Sequence, residues 1–347
     1  MLNEPYMNKT QQKTDQIRQF ILENVEDHPS DITSVVSAKF DISRQASHRH
    51  VQKLVQDGLL APNGVTRNRT YDVKPVAQFY KLLRLKGLEE DKVWRQNILP
   101  LMVNVPQNIL QICHHGFTEM VNNAIDHSEG TSLKIKVNRT YKMIELQIID
   151  NGVGIFNKIQ RELELDDPLH AILELSKGKL TTDPARHSGE GIFFTSRMFD
   201  KFSIFSAKLF YSYSEHSGDW LIEDHEKMVP GTMVVLSISA NAKTVIQQVF
   251  DKFTGDDFGF TKTHVPVFLA RYGDENLVSR SQAKRLLTRF ERFKEIVLDF
   301  YKVDSIGQAF ADEIFRVFTS QNPNIHLTPI NTNSQVKKMI AHVKNAI

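Results

Sequence analysis

Cysteine is almost missing from this chain: Cys113 is alone among 347 residues. An intrachain disulfide framework and a cysteine-based zinc site are therefore excluded. A lone thiol inside an apolar helical stretch reads as a small buried residue rather than a reactive one. An excess of one charge sign is missing too, since 43 Lys and Arg against 41 Asp and Glu leave a formal +2. No global field points to nucleic acid or membrane, and any such surface has to be local. No run approaches the roughly 18 apolar residues that cross a bilayer. The opening MLNEPYMNKTQQK also lacks an apolar signal core. A cytoplasmic protein without membrane contact is the expectation. No linker rich in Gly, Ser or Pro interrupts the chain, so its parts are expected to be closely tied.

What is present suits a globular protein, with 41% hydrophobic and 24% charged residues and a length that predicts about two to three domains. The first segment, 10–74, reads as three short helices and a hairpin. Thr14–Asn24, Ser30–Phe40 and Ser43–Asp57 carry apolar residues at helical spacing. Ser47, Val51 and Leu54 mark the inner face of the third helix, which leaves Arg44, Gln45, His48, Arg49 and Gln52 outside. Between Lys39 and Arg69 stand six Lys or Arg against two Asp. This layout resembles a winged helix-turn-helix domain. The outward residues of the third helix would then reach bases and phosphates of double-stranded DNA, with Arg67 and Arg69 on the wing. A small protein-binding module with a solvated basic face is the other reading.

Residues 75–105 read as a helical connector, with Phe79, Leu82, Leu83 and Leu85 at helical spacing and breaks at Gly87 and Pro100. Next comes QICHHGFTEMVNNAIDHS, Gln111–Ser128, where Glu119 and Asn123 are four apart and share a helix face. Two apolar strands follow, and the second ends in Asp150-Asn-Gly152-Val-Gly154-Ile155. A carboxylate and a carboxamide on one face, near glycines that admit a close ligand, suggest a nucleotide and metal site.

At this point four motifs stand in order: Glu119 to His127, Asp150 to Ile155, His187-Ser-Gly189-Glu-Gly191-Ile192, and Gly231-Thr232. In that order they resemble the GHKL ATPase superfamily of DNA gyrase, histidine kinases and their relatives. The resemblance covers 106–240 and implies ATP with Mg2+ as ligands. Asn123 would hold the magnesium, and Glu119 would stand where hydrolysing members have the general base. Asp150 would accept the adenine amino hydrogen, with Thr232 near the same water. Gly152, Gly154, Ile155, Ser188, Gly189, Gly191 and Ile192 would complete the ATP site. Gly178–Ser188 would form a mobile lid. The lid resembles that of bacterial anti-sigma-factor serine kinases, but has Asp183 and His187 where those kinases commonly carry Lys and Arg. Two lost cations weaken phosphoryl transfer, which depends on offsetting developing charge.

After a helical joint, 241–262, strands and helices alternate through 263–347. Strands are expected at Val265–Ala270, Ile296–Phe300 and Ile325–Ile330. The phrase VLDFYKVDSIGQAFADEIFRVF resembles STAS-like domains, relatives of anti-sigma-factor antagonists. Ile306 stands where an antagonist has its phosphoacceptor serine, and Ser305 reads equally as a helix cap. The expected fold class is thus multidomain α/β: a winged helix, a GHKL α/β sandwich with a mixed sheet, and a small STAS-like α/β domain. The expected function is a nucleotide-responsive, DNA-binding transcriptional regulator. An ATPase or serine/threonine kinase acting on a protein partner is the alternative. A protein partner could dock through the STAS-like domain, and a homodimer is compatible with the layout.

Overall fold

The computed structural model describes residues 9–65, 69–180, 189–214, 218–223, 229–255, 259–271 and 275–345. It packs as two compact units. One gathers the chain through Phe79 with Val137–Glu145 and Ser239–Asn241. The other holds Tyr80–Lys136, Leu146–Ile238 and the chain from Ala242 onward.

In the first unit, α1 (Lys9–Asn24), α2 (Ile32–Phe40) and α3 (Arg44–Gln56) precede an antiparallel hairpin of β1 (Leu60–Asn63) and β2 (Thr70–Val73). Ser43 is extended and accepts the Ala46 N–H at 3.1 Å, which satisfies one of the donors a helix start leaves open. Ile17, Ile21, Ile32, Val36, Val51, Leu54, Leu60 and Tyr71 form one buried cluster. The third helix buries Ser47, Val51 and Leu54.

The second unit carries most of a seven-stranded sheet. Its first strand is a correction: Ala77–Arg84, expected as helix, is β3. Apolar residues at 79, 83 and 85 suit a period of two as well as a helix, and so short a run does not discriminate. Pairing decided it, with the Val76 N–H donating to Arg139 O at 2.6 Å and the Leu85 N–H to Thr131 O at 3.1 Å. The helical part of the expected connector is confined to α4 (Glu90–Val93), a π-helical turn Trp94–Ile98 and a short 3-10 turn.

The long helix α5 (Gln107–His127) follows Pro106. Then come β4 (Ser132–Arg139) and β5 (Met143–Asp150), α6 (Ile155–Glu162), α7 (Pro168–Lys177) and α8 (Gly191–Met198). The remaining strands are β6 (Lys201–Ala207), β7 (Leu209–Ser214), β8 (Gly218–Glu223) and β9 (Val229–Ser239). Their order is β3-β4-β5-β9-β6-β7-β8. On β5 the buried positions are Ile144, Leu146, Ile148 and then Asp150. The inward series of the strand therefore ends in a carboxylate.

Helix α9 (Ile246–Phe253) sets Phe250 and Phe253 against Phe194 and Phe193 of α8, with ring centroids 4.4 and 5.0 Å apart. Beyond it, β10 (Lys262–Pro266), β11 (Glu295–Asp299) and β12 (His326–Ile330) form a parallel sheet in that order. The expected strand Val265–Ala270 lies earlier than foreseen. It stops at Pro266, which cannot donate to a ladder, and Val267–Ala270 turns as a 3-10 helix. Helices α10 (Arg280–Leu287), α11 (Gln308–Asp312), α12 (Thr319–Gln321) and α13 (Ser334–Lys344) flank this sheet, with a π-helical segment Glu313–Phe318 joining α11 to α12. Ser305 does not cap a helix: Gly307 is the residue before α11, and no side chain caps that end.

Cys113 is fully buried in α5, and burial pushes its thiol up to about 12. The folded protein is expected to resist a thiol reagent in mildly alkaline buffer and to react once denatured. Rapid labelling of the folded chain would contradict this packing.

Candidate functional site

A cavity of about 350 Å³ opens between α5, the end of β5, α6 and the start of α8, within the size range of small-molecule sites. Glu119 and Asn123 line it from one face of α5, joined by Asp150, Gly154 and Ile155 from the β5–α6 turn. Gly189, Gly191, Ile192 and Thr232 also line it. Motifs separated by more than a hundred residues are thus brought to one wall. Gly152 is not among the lining residues. A Cβ on it would fall 1.9 Å from Ser128 O, so its missing side chain serves the packing of the turn against the end of α5. Ser188 lies outside the described residues, as do the other positions of the expected lid, 181–187.

Asp150 is 7% exposed. Its Oδ1 accepts the Gly152 N–H at 2.8 Å and the Thr232 N–H at 3.2 Å. Burial raises its pKa from the ordinary carboxylate value, and the hydrogen bonds from Gly152 and Thr232 work against that rise. Thr232 is used twice, since its Oγ1 accepts the Ile155 N–H at 3.0 Å. Gly231 makes this closeness possible. It sits at φ +72 in the left-handed region, and a Cβ there would fall 2.2 Å from Asp150 O.

On the opposite side, α8 begins at Gly191, where a Cβ would lie 1.9 Å from Glu119 Oε2. Glu190 before it provides no side-chain cap, so the first-turn N–H groups remain available to an anion. Asn123 Nδ2 is buried without a hydrogen-bond partner among the described residues. An amide nitrogen left in that state costs free energy unless a ligand satisfies it. The orphaned carboxamide and the glycine cradle both fit a polyphosphate with its cation. Among the described residues, no group of three or more His, Cys, Asp or Glu could hold a metal by itself.

Sequence reasoning missed Lys158. It lines the cavity, its side chain is 13% exposed, and its Nζ donates to His127 O at 2.9 Å. Glu129 and Glu162 stand 3.4 and 3.8 Å from the same amine. The available signal was its place between Ile155 and Ile159 on α6, a basic residue near the apolar side of a short helix.

Comparison with known families agrees with this geometry. Residues 109–239 match the family described as histidine kinase-, DNA gyrase B- and HSP90-like ATPases. This segment is a GHKL-superfamily ATPase domain. Residues 282–337 match a STAS-like domain of unknown function (DUF4325). No curated protein matches the chain. The GHKL domain implies nucleotide binding, usually with Mg2+. In the STAS-like domain Ile306 is 5% exposed and bridges to Leu277, and the Gly307 N–H donates to Leu277 O at 2.8 Å.

The DNA-contact candidates lie apart from the cavity, in the first unit. Arg44, Gln45, His48 and Arg49 are exposed on α3, Gln52 is half-buried, and Arg69 is exposed before β2. Arg67 lies outside the described residues.

Asp150 yields a test in the protein without nucleotide. A carboxyl whose folded pKa lies above its unfolded value favours folding below that unfolded value, and loses the contribution as pH rises through the folded one. Asp150→Asn keeps the shape and the acceptor oxygen without the charge. Its melting temperature is expected to equal or exceed wild type at neutral pH, with the gap closing in acid. A lower value at neutral pH would mean that the hydrogen bonds to the carboxylate outweigh its burial.

Proposed function

We propose that the chain is an ATP- and magnesium-binding regulator of transcription whose first unit binds double-stranded DNA. The cavity of the GHKL domain carries the nucleotide part of this reading. Asp150 would accept from the adenine amino group, as its buried, hydrogen-bonded carboxylate suits. Asn123 would hold the magnesium, which offsets phosphate charge when bound and takes few protein ligands. The α8 start at Gly191 would receive phosphate oxygens. The DNA part rests on the exposed Arg44, Gln45, His48 and Arg49 of α3, the helix that precedes the hairpin, in a chain otherwise near neutral. Nucleotide would shift the protein between states of different DNA affinity, by no more than its own preference between them.

Labelled duplex DNA, titrated at several salt concentrations with and without Mg-ATP, tests this. Binding should weaken as salt rises and should differ between the two nucleotide conditions. Arg44→Ala and Arg49→Ala should each cost about 1–3 kcal/mol if they read bases, or lower the salt slope if they touch phosphate. Absence of DNA binding in both conditions would overturn the DNA reading.

A second reading, as an ATPase or serine/threonine kinase, is favoured by one observation: Glu119 stands in the cavity beside the start of α8. Transfer to the chain's own STAS-like domain is disfavoured, because Ile306 is a buried hydrocarbon at the acceptor position. If water is activated there, Glu119→Gln should keep Mg-ATP binding and lose hydrolysis by about 10²–10⁴-fold, the usual contribution of a general base. Label from γ-labelled ATP appearing on a protein serine instead would favour the kinase.

A further inference from the structure

The wall of the nucleotide cavity is not closed by the GHKL domain alone. Leu175 and Leu180 line it, and the backbone between them is gripped from the STAS-like side. Lys177 is fully buried beside a 2%-exposed Glu174, with its Nζ on Glu174 Oε1 at 2.5 Å. The same amine donates to the carbonyl of Arg285 at 3.2 Å and of Thr288 at 3.0 Å, at the end of α10. Arg289 returns the contact. Its Nη1 donates to Glu174 Oε2 at 3.0 Å, and its Nη2 donates to the carbonyls of Gly178, at 3.1 Å, and Lys179. Lys179 Nζ donates to Arg292 O at 2.9 Å, and Arg292 donates to Lys179 O at 3.1 Å. Thr263 Oγ1, from β10, donates to Lys177 O at 2.7 Å.

Two further features single out this seam. Lys179 and Arg289 both adopt the left-handed backbone region, at φ +52 and +65, which non-glycine residues hold only where surroundings over-determine them. A run of rings also leads the same way, from Phe193 on α8 to Phe260, 4.6 Å between centroids, and from Phe260 to Phe293, 5.4 Å. Helix α8 is the one whose first residue, Gly191, lines the cavity. Both the Leu175–Leu180 wall and the α8 wall therefore lean on residues 260–293.

From this we infer that Arg289 is a positioning residue of the nucleotide site, and that nucleotide occupancy and the packing of the STAS-like segment are energetically coupled. Arg289 touches no cavity atom. It holds the carbonyls of Gly178 and Lys179 between Leu180 and the Glu174–Lys177 pair, and a ligand that orders the wall must strengthen that hold. By linkage the effect is reciprocal: loosening the seam weakens the ligand, and the ligand tightens the seam. The inference rests on the ATP reading above and adds a site of control to it.

The test uses the full chain, with Mg-ATP affinity by calorimetry and amide hydrogen exchange as the two readouts. Arg289→Ala should weaken Mg-ATP about tenfold, within the ordinary range of coupling between sites. Arg289→Lys, which keeps the charge and one donor, should recover part of it. Arg316→Ala, in the same domain but paired with Asp312 on its own helical run, should leave affinity unchanged. In wild type, Mg-ATP should slow exchange at Leu286–Phe293 more than in α13, so that a uniform gain from global stabilisation is told apart from a local one. If wild type binds Mg-ATP and Arg289→Ala binds it equally, the coupling is overturned and the ATP reading stands. Should Arg289→Ala fail to fold, the wild-type exchange comparison decides, and equal slowing in both segments overturns the coupling. Failure of wild type to bind Mg-ATP overturns both.

Discussion

Three charged side chains share one dry space in the second unit: Lys177, Glu174 and Arg289. Taking each from water costs several kcal/mol, and only mutual contact and full hydrogen bonding offset it. Here the accounting closes. The Lys177 amine meets one carboxylate oxygen and two carbonyls, the other carboxylate oxygen meets Arg289, and the guanidinium reaches two more carbonyls. Burial pushes the Lys177 amine down from its ordinary pKa, while Glu174 pulls it back. An apolar substitute could be as stable, but it would specify no particular docking. The ionic set admits one arrangement, and that arrangement places the Leu175–Leu180 wall of the cavity.

The cavity follows the same logic on a smaller scale. Its parts are polar groups held short of satisfaction, or backbones brought closer than a side chain permits. Asp150 sits buried at the end of an apolar series with two N–H groups on one oxygen. Asn123 has an unpartnered nitrogen among the described residues. Gly231 lies against Asp150 and Gly191 against Glu119, at distances no Cβ tolerates. Each of these costs stability in the empty protein, and a ligand relieves them together. That is the expected signature of binding energy stored in preorganisation.

The first unit depends on neither set. Its helices and hairpin have their own apolar cluster, which leaves one face of α3 polar and exposed. A shared chain that carries a nucleotide cavity in one unit and a basic helix in another supports reading the two as input and output.

Much of this was legible in the residues. The helix carrying Glu119 and Asn123, the strand ending in Asp150 and the glycines at 154, 189 and 191 follow from local spacing and from chemistry that tolerates few substitutes. The inner face of α3 and the alternation of strands and helices after Val265 were equally local. What failed had no local signature. Ala77–Arg84 became a strand because β4 offered it partners, and Ser305 missed its helix because α11 begins beyond Gly307. Lys158 entered the cavity through the packing of α6. The seam of Glu174, Lys177 and Arg289 joins residues more than a hundred positions apart, and no periodicity encodes such a meeting. The sequence by itself determined which groups could touch a nucleotide, because hydrogen-bonding capacity and backbone freedom belong to residues. Only the tertiary structure decided what holds those groups in place, because a buried charge is tolerable only where distant segments supply all its partners at once.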